Sequence, residues 1–186
     1  PSGTMGEPTA ASSGVFSIYK RYRIGTTHKK GIGSRSTMDE TTKRVQAMYS
    51  SHPYPGYGTA EHFHEEAVEK LIGILRRCGC RPDGGRIIDV GCGTGHTSVC
   101  FARKLPESTV LGVDISPGSL EVAEQYRQEA AIHNLEYRLL DVTKEPAGQE
   151  EFDFAYLSGS LHHTSEPEIA LRHVVRALRP GGFALV

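Results

Sequence analysis

The chain has 186 residues, which is enough for about one domain with a sizeable core. Apolar residues make up 38% and charged residues 23%, so the bulk of the chain is not intrinsically disordered, and a formal net charge of -1 excludes a general attraction to nucleic acid or membranes. No apolar run approaches the roughly 18 residues that a membrane helix needs, so no membrane span is predicted.

Residues 1–44 are predicted to form a flexible basic arm. The first 14 residues are mostly Ser, Gly, Ala, Thr and Pro, a composition that buries too little surface to offset the entropy of ordering. The whole arm carries eight Lys/Arg against three Asp/Glu, a balance of +5. Organelle transit peptides, arms that touch polyanions and plain solvated surface all share this composition, and we favour the last.

Residues 45–85 are predicted to hold a tyrosine-rich segment, which resembles a lid-like element of a known enzyme family, and a helix. A short helix over 39–48 precedes a segment whose prolines and glycines exclude helix, and that segment is rich in tyrosine. A tyrosine ring with its hydroxyl suits the lining of a ligand pocket or packing beneath a rigid loop. The three tyrosines are Tyr49, Tyr54 and Tyr57. An amphipathic helix is predicted over 62–78, where apolar residues recur at helical spacing.

The most informative stretch is Ile-Ile-Asp-Val-Gly-Cys-Gly-Thr-Gly-His at residues 87–96. Its β-branched run predicts a buried strand, which stops at three alternate glycines: Gly91, Gly93 and Gly95. Glycine permits positive φ and leaves no Cβ between backbone and ligand, and the helix expected over 96–105 presents free N–H groups to a polar ligand. A purely structural turn is the alternative. A dinucleotide-binding turn would place its third glycine where His96 stands.

Beyond this turn, strands and helices alternate, which predicts an α/β protein with a doubly wound, mostly parallel sheet and helices on both faces. The predicted elements are a strand over 109–113, a helix capped by Ser116 with Pro117 at its first position and ending near 132, strands over 136–140 and 152–157, a helix capped by Ser165, and a strand from Phe183. Ligands of such sheets bind outside the carboxyl ends of the strands.

Two acids follow predicted strands. Asp114 ends one strand and Asp141 ends the next, so both are expected at the ligand-binding edge. A carboxylate in this place can accept both hydroxyls of a ribose, as nucleoside-containing cofactors require.

Three motifs together resemble class I S-adenosylmethionine (SAM)-dependent methyltransferases. The acid-preceded G-x-G-x-G resembles the first motif of that family, residues 152–163 resemble its fourth-strand motif in the branch with Leu-His-His, and residues 176–183 resemble its turn into the fifth strand. The likeness covers about residues 87–186. It implies a Rossmann-like core over 86–186 that lacks the C-terminal strands of the full seven-stranded fold.

The resemblance implies SAM as the cofactor and assigns a role to individual residues. The glycine turn with Cys92 would lie beneath the methionine end of SAM. The other cofactor-binding residues would be Asp89 at the ammonium, Asp114 at the ribose, Ile115 at the adenine face, Asp141 and Val142 at the adenine edge, and Ser158 near the sulfonium. His162 and His163 are candidates for a catalytic base, because imidazole titrates near neutral pH, although either could instead order the loop.

The predicted function is therefore direct in-line transfer of the SAM methyl group to an unidentified acceptor. A small molecule is favoured as the acceptor over protein or RNA. The alternatives are a non-catalytic SAM-binding domain of a larger assembly and a nicotinamide-dependent oxidoreductase, which His96 and Asp141 disfavour. The four cysteines show no zinc-type spacing, so we expect reduced thiols, no metal site and a cytoplasmic protein, unless the basic arm directs it to an organelle.

Overall fold

The computed structural model describes residues 18–20, 40–54 and 61–186. Most of the predicted arm, and Tyr57 of the predicted lid, lie outside the described residues. The strands are β1 (Ile18–Lys20), β2 (Arg86–Val90), β3 (Thr109–Asp114), β4 (Leu135–Leu139), β5 (Phe152–Tyr156) and β6 (Leu178–Leu185). The helices are α1 (Glu40–Ser51), α2 (Glu61–Arg77), α3 (His96–Lys104), α4 (Pro117–Glu129) and α5 (Pro167–Ala177), with a short 3₁₀-helix at Leu161–His163.

The strands form one sheet in the order β1-β6-β5-β2-β3-β4. Strands β2 to β6 are parallel, and β1 pairs antiparallel with β6 at one edge. This confirms the predicted α/β fold with a mostly parallel sheet. The chain winds outward in both directions from the central strand β2, so a crevice is expected at the carboxyl end of β2.

The core lies on both faces of the sheet. Ile87 packs in one buried cluster with Leu75 of α2 and Phe101 of α3, while the next residue, Ile88, packs in a second cluster with Val174 of α5. Successive side chains of a strand point to opposite faces, so a strand covered on both sides must be apolar throughout. This is why Ile87 and Ile88, on opposite faces of β2, are both apolar and buried.

The start of α4 confirms one predicted cap. The Ser119 N–H donates to Ser116 Oγ at 3.1 Å, and Pro117 occupies the first turn. The helix ends at Glu129, earlier than predicted, and Ala131 beyond it takes a left-handed φ of 53°.

The prediction that Ser165 caps α5 is wrong. The cap position is Glu166, which makes no side-chain cap hydrogen bond, and the Ser165 hydroxyl instead lies 3.3 Å from that of Thr42 on α1. Strand β6 also begins before the predicted Phe183. Leu178 already pairs with Phe152 of β5, and the register of the two strands shifts before Phe154 pairs with Phe183.

Within the described part of the chain, no helix combines the length and the apolar run that a bilayer crossing requires. The same residues contain no group of three or more His, Cys, Asp or Glu side chains arranged to hold a metal ion. All four cysteines are free thiols, and three of them are buried.

Candidate functional site

A cavity of about 250 Å³ lies at the carboxyl ends of the central strands, beneath α1. It brings together most of the residues singled out from the sequence. The predicted residues that line it are Gly91, Cys92, Gly93, Asp114, Ile115, Asp141, Val142, Ser158 and His163. Strand ends far apart in the sequence therefore converge on one crevice, as the winding of the sheet requires.

Each glycine of the central turn makes room for a different part of the protein. All three have positive φ, at 74°, 54° and 81° in chain order. A Cβ on Gly91 would overlap the Ser160 side chain, and one on Gly93 would overlap the Tyr54 carbonyl oxygen. Any L side chain at these two positions would therefore be strained by the backbone and would also push away an element that borders the cavity.

Gly95 lies away from the cavity lining, against Tyr137 of β4. A Cβ on Gly95 would overlap the Tyr137 hydroxyl, and one on Gly112 would come within 2.6 Å of the same ring. The Tyr137 hydroxyl donates to the Gly95 carbonyl at 3.3 Å. The space left by this glycine is thus filled by a tyrosine that supports the turn from behind.

Asp114 joins the glycine turn to the end of β3. Its Oδ2 accepts from the Gly93 N–H at 2.9 Å and its Oδ1 accepts from the Ser116 N–H at 2.8 Å. Burial raises the pKa of Asp114, and these backbone donors oppose that rise. These backbone donors hold the carboxylate at the cavity wall, and its remaining acceptor capacity is available to a ligand hydroxyl.

Asp141 presents an unpartnered oxygen. Its Oδ1 accepts from both the N–H and the hydroxyl of Thr143, at 2.9 and 2.6 Å. Its Oδ2 is buried and has no hydrogen-bond partner among the described residues. Leaving a buried acceptor unsatisfied costs about 1–3 kcal/mol, more for a charged group, so a ligand that donates a hydrogen bond here recovers that cost.

Asp89 lies beneath the glycine turn and does not line the cavity. Only 3% of it is exposed, and its Oδ2 accepts from Ser98 Oγ at 2.6 Å. Burial raises the pKa of Asp89 to about 7, although the Ser98 hydrogen bond opposes the rise. Asp89 and Gly95 are the two predicted cofactor-binding residues that the structure does not place at the cavity surface.

Helix α1 covers the cavity through polar contacts with both sides of the crevice. On the β3 side, Gln46 Nε2 donates to the Ile115 carbonyl at 2.8 Å, and the Ser50 and Ser116 hydroxyls lie 3.1 Å apart. On the β5 side, α1 reaches Ser165 through Thr42. Sequence reasoning missed Thr42 and Val45 as cavity-lining residues, because only the nearby tyrosines indicated a pocket.

Of the two candidate histidines, His163 borders the cavity. Its ring is exposed and lies edge-on to Tyr49, with 6.0 Å between the ring centroids. Tyr49 and Tyr54 also line the cavity. The side chain of His162 lies outside the described part of the chain.

Comparison with known proteins agrees with this geometry. A family model described as a methyltransferase domain matches residues 87–182. An O-methyltransferase of Penicillium expansum is 32% identical over 154 residues, which cover 80% of this chain and 55% of that protein. The curated relatives that the chain matches are longer, and the chain spans about a third to just over a half of their length.

Solved structures agree as well. The YcgJ protein of Bacillus subtilis superposes with a TM-score of 0.54 and 28% identity, covering 62% of this chain and 48% of that one. A Haemonchus contortus phosphoethanolamine N-methyltransferase 2, solved with phosphomonomethylethanolamine and S-adenosylhomocysteine, gives a TM-score of 0.55 and 26% identity, covering 62% of this chain and 27% of that one.

Proposed function

Because this chain belongs to the class I SAM-dependent methyltransferase family, we propose that it binds SAM in the cavity beneath α1 and transfers the methyl group to an acceptor. The observation that carries the proposal is the unpartnered Oδ2 of Asp141, beside the turn-bound carboxylate of Asp114. A nucleoside offers an amino donor for Asp141 Oδ2 and a pair of hydroxyls that can donate to Asp114 in addition to its backbone donors.

The adenosyl end would lie on the β3 and β4 side. Asp141 Oδ2 would accept from the adenine amino group, and Asp114 would accept from the ribose hydroxyls. Ile115 and Val142 line the same part of the cavity and would pack against the adenine ring.

The methionine end would lie over the glycine turn. Gly91, Cys92 and Gly93 border the cavity there and offer backbone rather than bulky side chains. Asp89 is buried beneath the turn and does not line the cavity, so its proposed interaction with the ammonium would be electrostatic, across the backbone of the turn, rather than a direct contact. Gly95 would contribute by letting Tyr137 support the turn.

When bound, SAM supplies an electrophilic methyl group on a sulfonium. The main task of the chain is then to align a nucleophile behind that methyl, which can contribute roughly 7–11 kcal/mol. Ser158, beyond β5, would border the sulfonium, and His163 would accept the proton of the acceptor. His162 follows the same strand and is the second candidate base.

Isothermal titration of the full chain with SAM, S-adenosylhomocysteine and NAD tests this function. We expect the two adenosyl compounds to bind and NAD not to compete with them. Asp114→Ala should weaken SAM binding by about 1–3 kcal/mol. Glu136→Gln, an exposed acid on β4, is the matched control and should change nothing. Binding of NAD alone would refute the proposal, and SAM binding without transfer to any acceptor would favour a non-catalytic binding domain.

A further inference from the structure

The charge of the cavity is confined to one side. Among the described residues that line it, the carboxylates Asp114 and Asp141 are the only Asp, Glu, Lys or Arg side chains, and both lie on the β3 and β4 side. Among the described lining residues, the side formed by α1 and the segment after β5 carries no such charge. The described residues lining that side include Val45, Tyr49, Ser160, Leu161, His163 and Thr164.

Two of the hydroxyls after β5, those of Ser160 and Thr164, use their protons within the protein. Ser160 Oγ donates to the Leu157 carbonyl at 3.4 Å, and Thr164 Oγ1 donates to the Leu161 carbonyl at 2.8 Å. A hydroxyl has one proton and two lone pairs, so each can still accept a hydrogen bond. In this arrangement the two hydroxyls suit a ligand that donates a hydrogen bond.

The cations nearest in sequence to this lining are directed elsewhere. Lys43 pairs with Glu40 on the exposed face of α1, and Lys144 lies 3.9 Å from Glu166. Neither lysine lines the cavity, nor does the exposed Arg44. The described lining of this side therefore offers an anionic acceptor no compensating Lys or Arg charge, and burying a charge without one is costly. A cationic acceptor would meet no carboxylate among the described residues that line this side.

We propose, on the basis of the proposed function, that the acceptor is an uncharged phenol bound between α1 and the 3₁₀-helix. Tyr49, Leu161 and Val45 give this side the apolar and aromatic surface that suits a planar ring. The phenolic hydroxyl would donate toward His163, or toward the lone pairs of Ser160 and Thr164.

Proton transfer favours a phenol over an aliphatic alcohol. The pKa of a phenol, about 10, lies about 3.5 above that of an ordinary imidazole, about 6.5, whereas the pKa of an aliphatic alcohol lies far higher still. In the transfer, the phenolic oxygen bonds to the methyl carbon while the carbon–sulfur bond breaks and its electron pair stays on sulfur. The phenolic proton passes to His163, which is exposed and can release it to solvent.

Three naphthalene probes test the proposal by equilibrium binding to the full chain saturated with S-adenosylhomocysteine. 2-Naphthol is neutral and donates a hydrogen bond, 6-hydroxy-2-naphthoate adds one carboxylate, and 2-methoxynaphthalene lacks the donor. We expect 2-naphthol to bind at least ten times more tightly than either analogue by fluorescence titration. Equal or tighter binding of the naphthoate, or no binding of 2-naphthol, overturns the inference.

Val45→Lys locates the acceptor on this side of the cavity. The new ammonium should attract the carboxylate of the naphthoate, so the ratio of the dissociation constants of the naphthoate and 2-naphthol should fall. The neutral control Val45→Met should leave that ratio unchanged. An unaltered preference in Val45→Lys overturns the placement. Failure of S-adenosylhomocysteine to bind would refute both the proposed function and this inference. If S-adenosylhomocysteine binds but 2-naphthol is not the tightest-binding probe, only the inference is refuted.

Discussion

Asp141→Asn should convert the adenine contact from attractive to repulsive without harming the fold. The Asn carbonyl must take the place of Oδ1, because that atom accepts from both donors of Thr143. The amide NH₂ then occupies the place of the unpartnered Oδ2, in a residue that lines the cavity. A donor would meet the adenine amino group, which is itself a donor.

The loss follows from the bonds involved. A hydrogen bond to a charged group contributes about 1.5–3 kcal/mol, so the dissociation constant for SAM should rise roughly 10- to 150-fold. The melting temperature without ligand should not fall appreciably, because the substitution removes a buried charge that lacks a partner for one oxygen. Isothermal titration and thermal unfolding of the same samples measure the two quantities separately.

A ligand without the adenine amino group tests whether Asp141 contacts that group. In S-inosylhomocysteine a carbonyl replaces the adenine amino group, so the Asn NH₂ of the variant can donate to it. Asp141→Asn should therefore favour S-inosylhomocysteine over S-adenosylhomocysteine, the reverse of the unaltered chain, while Glu136→Gln keeps the original order. Unchanged SAM affinity in Asp141→Asn, or a loss of affinity accompanied by a large fall in melting temperature, would refute the reasoning.

Three further substitutions test the turn, the cap and the buried acid. Gly95→Ala should destabilise the fold by about 1–3 kcal/mol in chemical unfolding, since a Cβ at φ 81° is strained and meets Tyr137; wild-type stability would contradict this. Ser116→Ala should cost about 1 kcal/mol by loss of the α4 cap, measured against Glu121→Gln on the same helix, and an equal effect of both would count against the cap. The pKa of Asp89 is raised to about 7 in the folded chain from 3.8, so the native state holds the extra proton and stability should fall as pH rises from about 4 through about 7. Asp89→Asn should reduce the difference between the unfolding midpoints at pH 5 and pH 8. An equally large difference in the variant would show that another group causes the pH dependence.

The local patterns of the sequence predicted much of the fold correctly. The apolar run before the glycine turn, the Ser116 cap and the position of each acid after a strand depend on residues near one another in the chain. The convergence of Asp114 and Asp141 also followed from sequence, because parallel strands bring their carboxyl ends to one edge. The wrong cap at Ser165 shows the limit of this reasoning, since that hydroxyl faces a partner 123 residues away.

Which residues line the cavity was decided by the tertiary structure. The sequence predicted a helix near residue 45, but its position above the cavity depends on Gln46 and Ser50 meeting the loop after β3. The same holds for the tyrosine that fills the space of Gly95, for Asp89 beneath the turn and for the missing partner of Asp141. Local propensity and periodicity act over a few residues, whereas burial and hydrogen-bond satisfaction depend on which distant elements pack together, and only the folded chain determines that.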